Sequence, residues 1–121
     1  MARIMVVDDS PTDVEALKAI LSKAGHAVVT SPSGQDCIAR VKAEKPDVVI
    51  MDVVMPGVNG FQATRTLVKD PETAHIPVLV VSSKTQETDR VWALRQGARE
   101  YITKPVSETD LITKIQAVLV K

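Results

Sequence analysis

Five residues stand where apolar chain gives way to loop and could do chemistry together. They are Asp8 and Asp9 after RIMVV, Asp52 after DVVIM, Ser82 after PVLVV, and Lys104 after EYIT. In VVIMDVVMPGVNG, residues 48 to 60, four apolar residues run straight into Asp52 and then into a loop punctuated by Pro56, Gly57 and Gly60. A carboxylate at the edge of a hydrophobic layer loses solvation, so it persists only if it is neutralised there or needed by chemistry. Three such carboxylates brought together repel by about 4 kcal/mol per close pair at an effective dielectric near 20. Without a counter-ion some would take up protons. A hard divalent cation resolves this, and Mg²⁺ suits a site of one or two carboxylates, several waters and a phosphoryl oxygen. Lys104 adds a mobile point charge able to pair with Asp52 in one state and a phosphoryl oxygen in another. Ser82 offers a hydroxyl donor to the same oxygen. The set is that of a phosphoryl-transfer site with Asp52 as carboxylate nucleophile.

That chemistry requires a fold that brings the ends of several strands to one place. Short β-branched runs alternate along the chain with segments of helical period, the pattern of repeated βαβ units and a parallel sheet covered on both faces. The strands predicted are RIMVV (3 to 7), AVVT (27 to 30), DVVIM (47 to 51), PVLVV (77 to 81) and EYIT (100 to 103). Five helices accompany them. The first carries Val14, Leu17, Leu21 and Ala24 on one face and stops at Gly25. The second, 36 to 44, carries Cys37 and Val41, and the third starts at a cap on Asn59 with Phe61, Thr64, Leu67 and Val68 at helical spacing. The fourth spans 87 to 96, with Val91 and Leu94 read as its core residues, which leaves Trp92 partner-facing or ordinarily half-buried. The last opens on Ser107-Glu108-Thr109-Asp110, close to a capping box, and buries Leu111, Ile115 and Leu119. The expected fold is α/β, a doubly wound five-stranded parallel sheet ordered 2-1-3-4-5. In such a sheet ligands bind outside the carboxyl ends of the strands where the order reverses, here between strands one and three, so Asp8, Asp9 and Asp52 should meet.

A length of 121 residues fits one domain. Fifteen basic and fifteen acidic residues cancel, with no basic run of the kind a nucleic-acid binder shows. No apolar stretch approaches the roughly 20 residues needed to span a bilayer, and MARIMVVDD is too short for a signal peptide, so a cytoplasmic protein is expected. The single cysteine, Cys37, excludes an internal disulfide and reads as a packed, inert helix residue. His26 and His75 lack ligand-like spacing. From the residues alone, Tyr101 reads as a half-buried strand tyrosine with a hydrated hydroxyl.

VVDDSP, VVIMDVVMPGVNG, VLVVSS and YITKP, in this order, resemble the receiver domain of bacterial two-component response regulators, of the chemotaxis-type single-domain kind. The likeness runs over residues 3 to 120 and implies a flavodoxin-like fold, with residues 1 to 121 a single receiver domain. It further implies that Asp52 accepts a phosphoryl group from the phosphohistidine of a histidine kinase. Asp8 and Asp9 would hold Mg²⁺, Asp9 directly, with Asp52 and the backbone carbonyl of Val54 completing the ligands. Ser82 would bond the phosphoryl group and Lys104 would salt-bridge to it, with the Lys104–Pro105 peptide bond cis. Tyr101 would be the switch aromatic, turning inward as Ser82 moves. The output surface would be the face of the fourth helix, fifth strand and fifth helix, passing the signal from a monomer to a protein partner without multiple-turnover catalysis.

More narrowly, GFQATR and QETDRVWALRQGAREYITKPV resemble regulators of the chemosensory pathway behind type IV pilus twitching motility. Ser82 stands where Thr is more frequent, and Val54 is apolar where many relatives carry a polar side chain that influences hydrolysis. Two other readings use the same residues. An aspartyl-phosphate phosphohydrolase shares the nucleophile and metal but commonly carries a second acid two residues on, where this chain has Val54. A flavodoxin-like nucleotide or flavin binder shares the fold, yet DDSPTD after strand one is no glycine-rich loop and would repel a phosphate unless a metal intervened.

Overall fold

The computed structural model describes residues 2–53 and 59–119. The apolar runs form β1 (Arg3–Val7), β2 (Ala27–Ser31), β3 (Val48–Met51), β4 (Val78–Ser82) and β5 (Glu100–Thr103). Between them lie α1 (Pro11–Lys23), α2 (Gly34–Glu44), α3 (Gly60–Lys69), α4 (Glu87–Arg95) and, last, α5 (Glu108–Leu119). All strand pairs are parallel, in the predicted order β2-β1-β3-β4-β5. β3 and β4 are buried at every residue, as strands covered on both faces must be, while edge strand β2 is mostly half-buried.

Strand side chains alternate between faces, and the alternation sorts the core into two layers. Ile4, Val6, Val48, Ile50, Leu79, Val81 and Ile102 point toward Leu17 and Leu21 of α1 and Leu111 and Ile115 of α5. Met5, Val7, Val49, Met51 and Val78 point toward Cys37 and Val41 of α2 and Ala63 and Leu67 of α3. A smaller cluster of Val53, Val80, Ala93, Ala98 and Tyr101 seats α4.

Helix starts are fixed by side chains that accept from orphan backbone N–H groups. Ser10 caps α1, Ser33 caps α2, and Asn59 with Gln62 forms a reciprocal capping box on α3. Serine at 33 lets α2 begin two residues earlier than the periodicity indicated. Ser107 accepts from the Asp110 N–H at 3.3 Å at the start of α5. Ala24 lies past the last turn of α1 as its exposed C-cap, and Leu119 is only half-buried.

The expectation for α4 is corrected. Val91 and Leu94 are 38% and 36% exposed and Trp92 is 50% exposed, while Ala93 and Gln96, three apart and so on one stripe, face inward. A small residue at the contact lets the helix approach the sheet closely, and the bulkier apolar neighbours rotate out. Gly97 follows at φ +106, and a Cβ there would meet Val68 methyls at 2.8 Å.

Cys37 lies in the core with its thiol pushed up to about 12 from 9.0, first by burial and then by Asp36, with Arg40 opposing. The thiol thus stays neutral in the folded chain while the unfolded chain ionises near pH 9, so this contribution is complete below pH 9 and is lost as pH rises toward 12. Urea unfolding of the native chain should weaken over that window more than that of Cys37→Ala. Native Cys37 should stay silent to a thiol reagent at neutral pH and react once the chain is unfolded.

Candidate active site at the carboxyl ends of β1 and β3

The sequence expectation that strand ends converge is met through backbone hydrogen bonds that continue the sheet past its strands. Asp8 N–H donates to Ser31 O at 3.1 Å, Asp52 N–H to Val7 O at 2.9 Å and Lys104 N–H to Ser82 O at 2.8 Å. Each ties a chemically active residue to the neighbouring strand, so the side chains of Asp8, Asp52 and Lys104 start from one rim.

Asp8 and Asp52 are buried, 3% and 7% exposed, and Asp9 is exposed. One carboxylate oxygen from each of the three lies within 4.8 Å of the others. At that separation two unit charges repel by about 3–4 kcal/mol at an effective dielectric near 20. Three carboxylate oxygens at this spacing, one of them open to solvent, suit a hard cation with room for waters. The backbone carbonyl of Val54, expected as a further ligand, lies outside the described residues.

The Lys104 Nζ enters the same space. It lies 3.1 Å from Asp8 Oδ2 and 3.8 Å from Asp52 Oδ1, and closest of all, at 2.8 Å, to Oδ2 of Asp13 on α1. Burial alone would lower the lysine's pKa, but hydrogen bonds to Asp13 and Asp8 and the charge of Asp52 outweigh it and hold the ammonium above 10.5. The Lys104–Pro105 peptide bond is cis, as expected.

Ser82 is fully buried, and its Oγ accepts from the Lys84 N–H at 3.2 Å. The Tyr101 hydroxyl donates to the carbonyl oxygen of the same Lys84 at 2.7 Å. Tyr101 is thus an inward-facing residue, 8% exposed, and not the half-buried tyrosine with a hydrated hydroxyl that its strand position suggested. Burial raises its pKa, a hydrogen bond with Ser82 opposes, and the Asp89 and Asp52 carboxylates add to the rise.

One participant had been given no part in the site by the sequence. Asp13 had a signal, since a Ser10 cap places it in the first turn of α1, over the end of β1. Lys84, which follows Ser82-Ser83 at the end of β4, contributes its peptide groups.

Gly60 fixes the approach of α3 to this rim. Its N–H donates to Val53 O at 3.2 Å, and a Cβ at this position would lie 2.1 Å from the carbonyl oxygen of Asp52.

The family model for the response regulator receiver domain matches residues 4–116. The chain is 60% identical over 119 residues to Protein PilH of Pseudomonas aeruginosa, a match covering 98% of each. To Response regulator PleD of Caulobacter vibrioides it is 36% identical over 116 residues, 96% of this chain and 26% of that longer protein. Among solved structures, Vibrio cholerae chemotaxis protein CheY4 superposes with a TM-score of 0.90 at 28% identity, covering 98% of this chain and 99% of that one.

Gly60→Ala should cost about 1–3 kcal/mol of stability, because the added methyl meets backbone that cannot rotate away. Since that backbone belongs to Asp52, affinity for divalent cations should fall with it. Urea unfolding and cation titration of the same variant check both.

Proposed function

The chain belongs to the response regulator receiver family, and we propose that Asp52 is its phosphoacceptor, charged by a histidine kinase with Mg²⁺ held by Asp8, Asp9 and Asp52. The observation that carries this reading is the convergence of one oxygen from each of the three carboxylates within 4.8 Å, with the Lys104 ammonium 3.8 Å from Asp52. In the transfer, a carboxylate oxygen of Asp52 forms the new P–O bond while the P–N bond of the phosphohistidine breaks and its electron pair returns to the imidazole. Bound Mg²⁺ supplies charge neutralisation for the phosphoryl oxygens. Lys104 steadies the same oxygens from the β5 side, and Ser82 donates its hydroxyl to one of them.

Rotation of Ser82 toward the phosphoryl group breaks the bond that its Oγ accepts from the Lys84 N–H, and this couples the site to Tyr101. Phosphorylation thereby biases a two-state element and alters affinity for a protein partner. The partner-facing surface is the α4, β5 and α5 face, where Val91, Trp92 and Leu94 are exposed. The likeness to PilH supports a place in type IV pilus twitching motility. The chain acts as a single monomeric receiver unit in the cytoplasm, and not as a multiple-turnover enzyme. No helix among the described residues is long and apolar enough to cross a membrane. The family match favours neither the phosphohydrolase nor the nucleotide-binding reading.

Beryllofluoride with Mg²⁺ should shift the amide resonances of residues 82 to 84 and 101 in the native chain and leave Asp52→Asn unchanged. Removing the cation with a chelator should abolish the native response. Matching responses from the native chain and Asp52→Asn would refute the assignment.

A further inference from the structure

We propose that Asp13 is a positioning residue that tethers the Lys104 ammonium on the α1 side of the site and so sets how readily Lys104 reaches a phosphoryl group on Asp52. This inference rests on Asp52 being the acceptor. Lys104 Nζ is within hydrogen-bond reach of Asp13 Oδ2 at 2.8 Å and Asp8 Oδ2 at 3.1 Å, and outside it from Asp52 Oδ1 at 3.8 Å. The lysine that must serve the acceptor is therefore paired elsewhere first.

The tether is built into the start of α1. Ser10 N–H donates to Asp8 Oδ1 at 2.9 Å, and the Ser10 Oγ accepts from the Asp13 N–H at 3.4 Å. Asp8 and Asp13 are thus fixed relative to each other through one capping residue, and Lys104 bridges both. Asp13 lies outside the three-carboxylate cluster, so a cation held by Asp8, Asp9 and Asp52 leaves its charge to Lys104 alone.

Release is possible because the pair is asymmetric. The Asp13 side chain is 43% exposed, against 2% for Asp8 and 8% for Asp52, so water can take over the carboxylate that Lys104 leaves. A cavity of about 220 Å³ lined by Asp13, Leu17, Ile20, Lys104 and Val106 gives the lysine stem room to move. A phosphoryl group on Asp52 brings a charge of about −2 and attracts the ammonium more strongly than the single charge of Asp13. Every activation then breaks the Asp13–Lys104 pair, and the chain is harder to activate by the strength of that pair.

The test is beryllofluoride titration of the full chain at saturating Mg²⁺, followed by the amide resonances of residues 82 to 84. Asp13→Ala should bind about two- to fivefold more tightly than the native chain, the size expected of a half-exposed ion pair. Asp13→Glu should return close to the native value, and Asp13→Asn should give the same sign as Ala if the Ala variant folds poorly. In a Lys104→Ala background, adding Asp13→Ala should bring no gain, because the effect passes through the lysine and not through the general field of a lost charge. Unchanged or weaker binding by Asp13→Ala, or a gain that persists without Lys104, overturns the role of Asp13. Identical responses from the native chain and Asp52→Asn would instead remove the acceptor assignment on which it stands.

Discussion

Four carboxylates facing one ammonium is the condition around which the upper rim of this sheet is organised. Asp8, Asp9, Asp13 and Asp52 lie within reach of Lys104 or of one another, so the rim carries an excess of negative charge, two of whose carboxylates, Asp8 and Asp52, are buried. Such an arrangement is unfavourable in isolation, and on the function proposed above a divalent cation and then a phosphoryl group would complete it. Backbone hydrogen bonds hold Asp8, Asp52 and Lys104 to the sheet, and Lys104 pairs with the acids around it.

Those bonds explain why a reactive rim can coexist with an ordinary core. The ladder continues one residue past β1, β3 and β5, and each extra rung fixes an active residue in place. Beneath them, the two faces of the sheet are filled by separate sets of helices, α1 and α5 on one and α2 and α3 with α4 on the other, with no buried, unsatisfied side-chain polar atom among the described residues. The apolar layers supply rigidity, the rim supplies charge, and the strand register keeps the two in line.

Strand order, strand positions and the meeting of Asp8, Asp9, Asp52 and Lys104 were legible from local pattern, because runs buried on both faces and polar residues at their ends leave strong one-dimensional signals. What escaped depended on rotation and distance. Around α4 the apolar residues are spread over the helix, so size alone suggested Val91 and Leu94 for the core, and only the closeness of the helix to the sheet selects Ala93 and Gln96. Asp13 looked like a first-turn acid, a common helix feature; its bond to Lys104 spans 91 positions and no local pattern carries it. Tyr101 sat on a strand read correctly, but its hydroxyl partner lies 17 residues away in a loop.

Lys84 offers a last consequence. Its amide hydrogen is held by Ser82 and its carbonyl by Tyr101, while its own side chain is exposed. On the function proposed above, communication between Asp52 and Tyr101 would travel along main chain and be indifferent to which amino acid occupies position 84, proline excepted, since it lacks the N–H. The exposed side chain at position 84 can then change, and recognition of different partners can diverge with it, without disturbing that backbone joint.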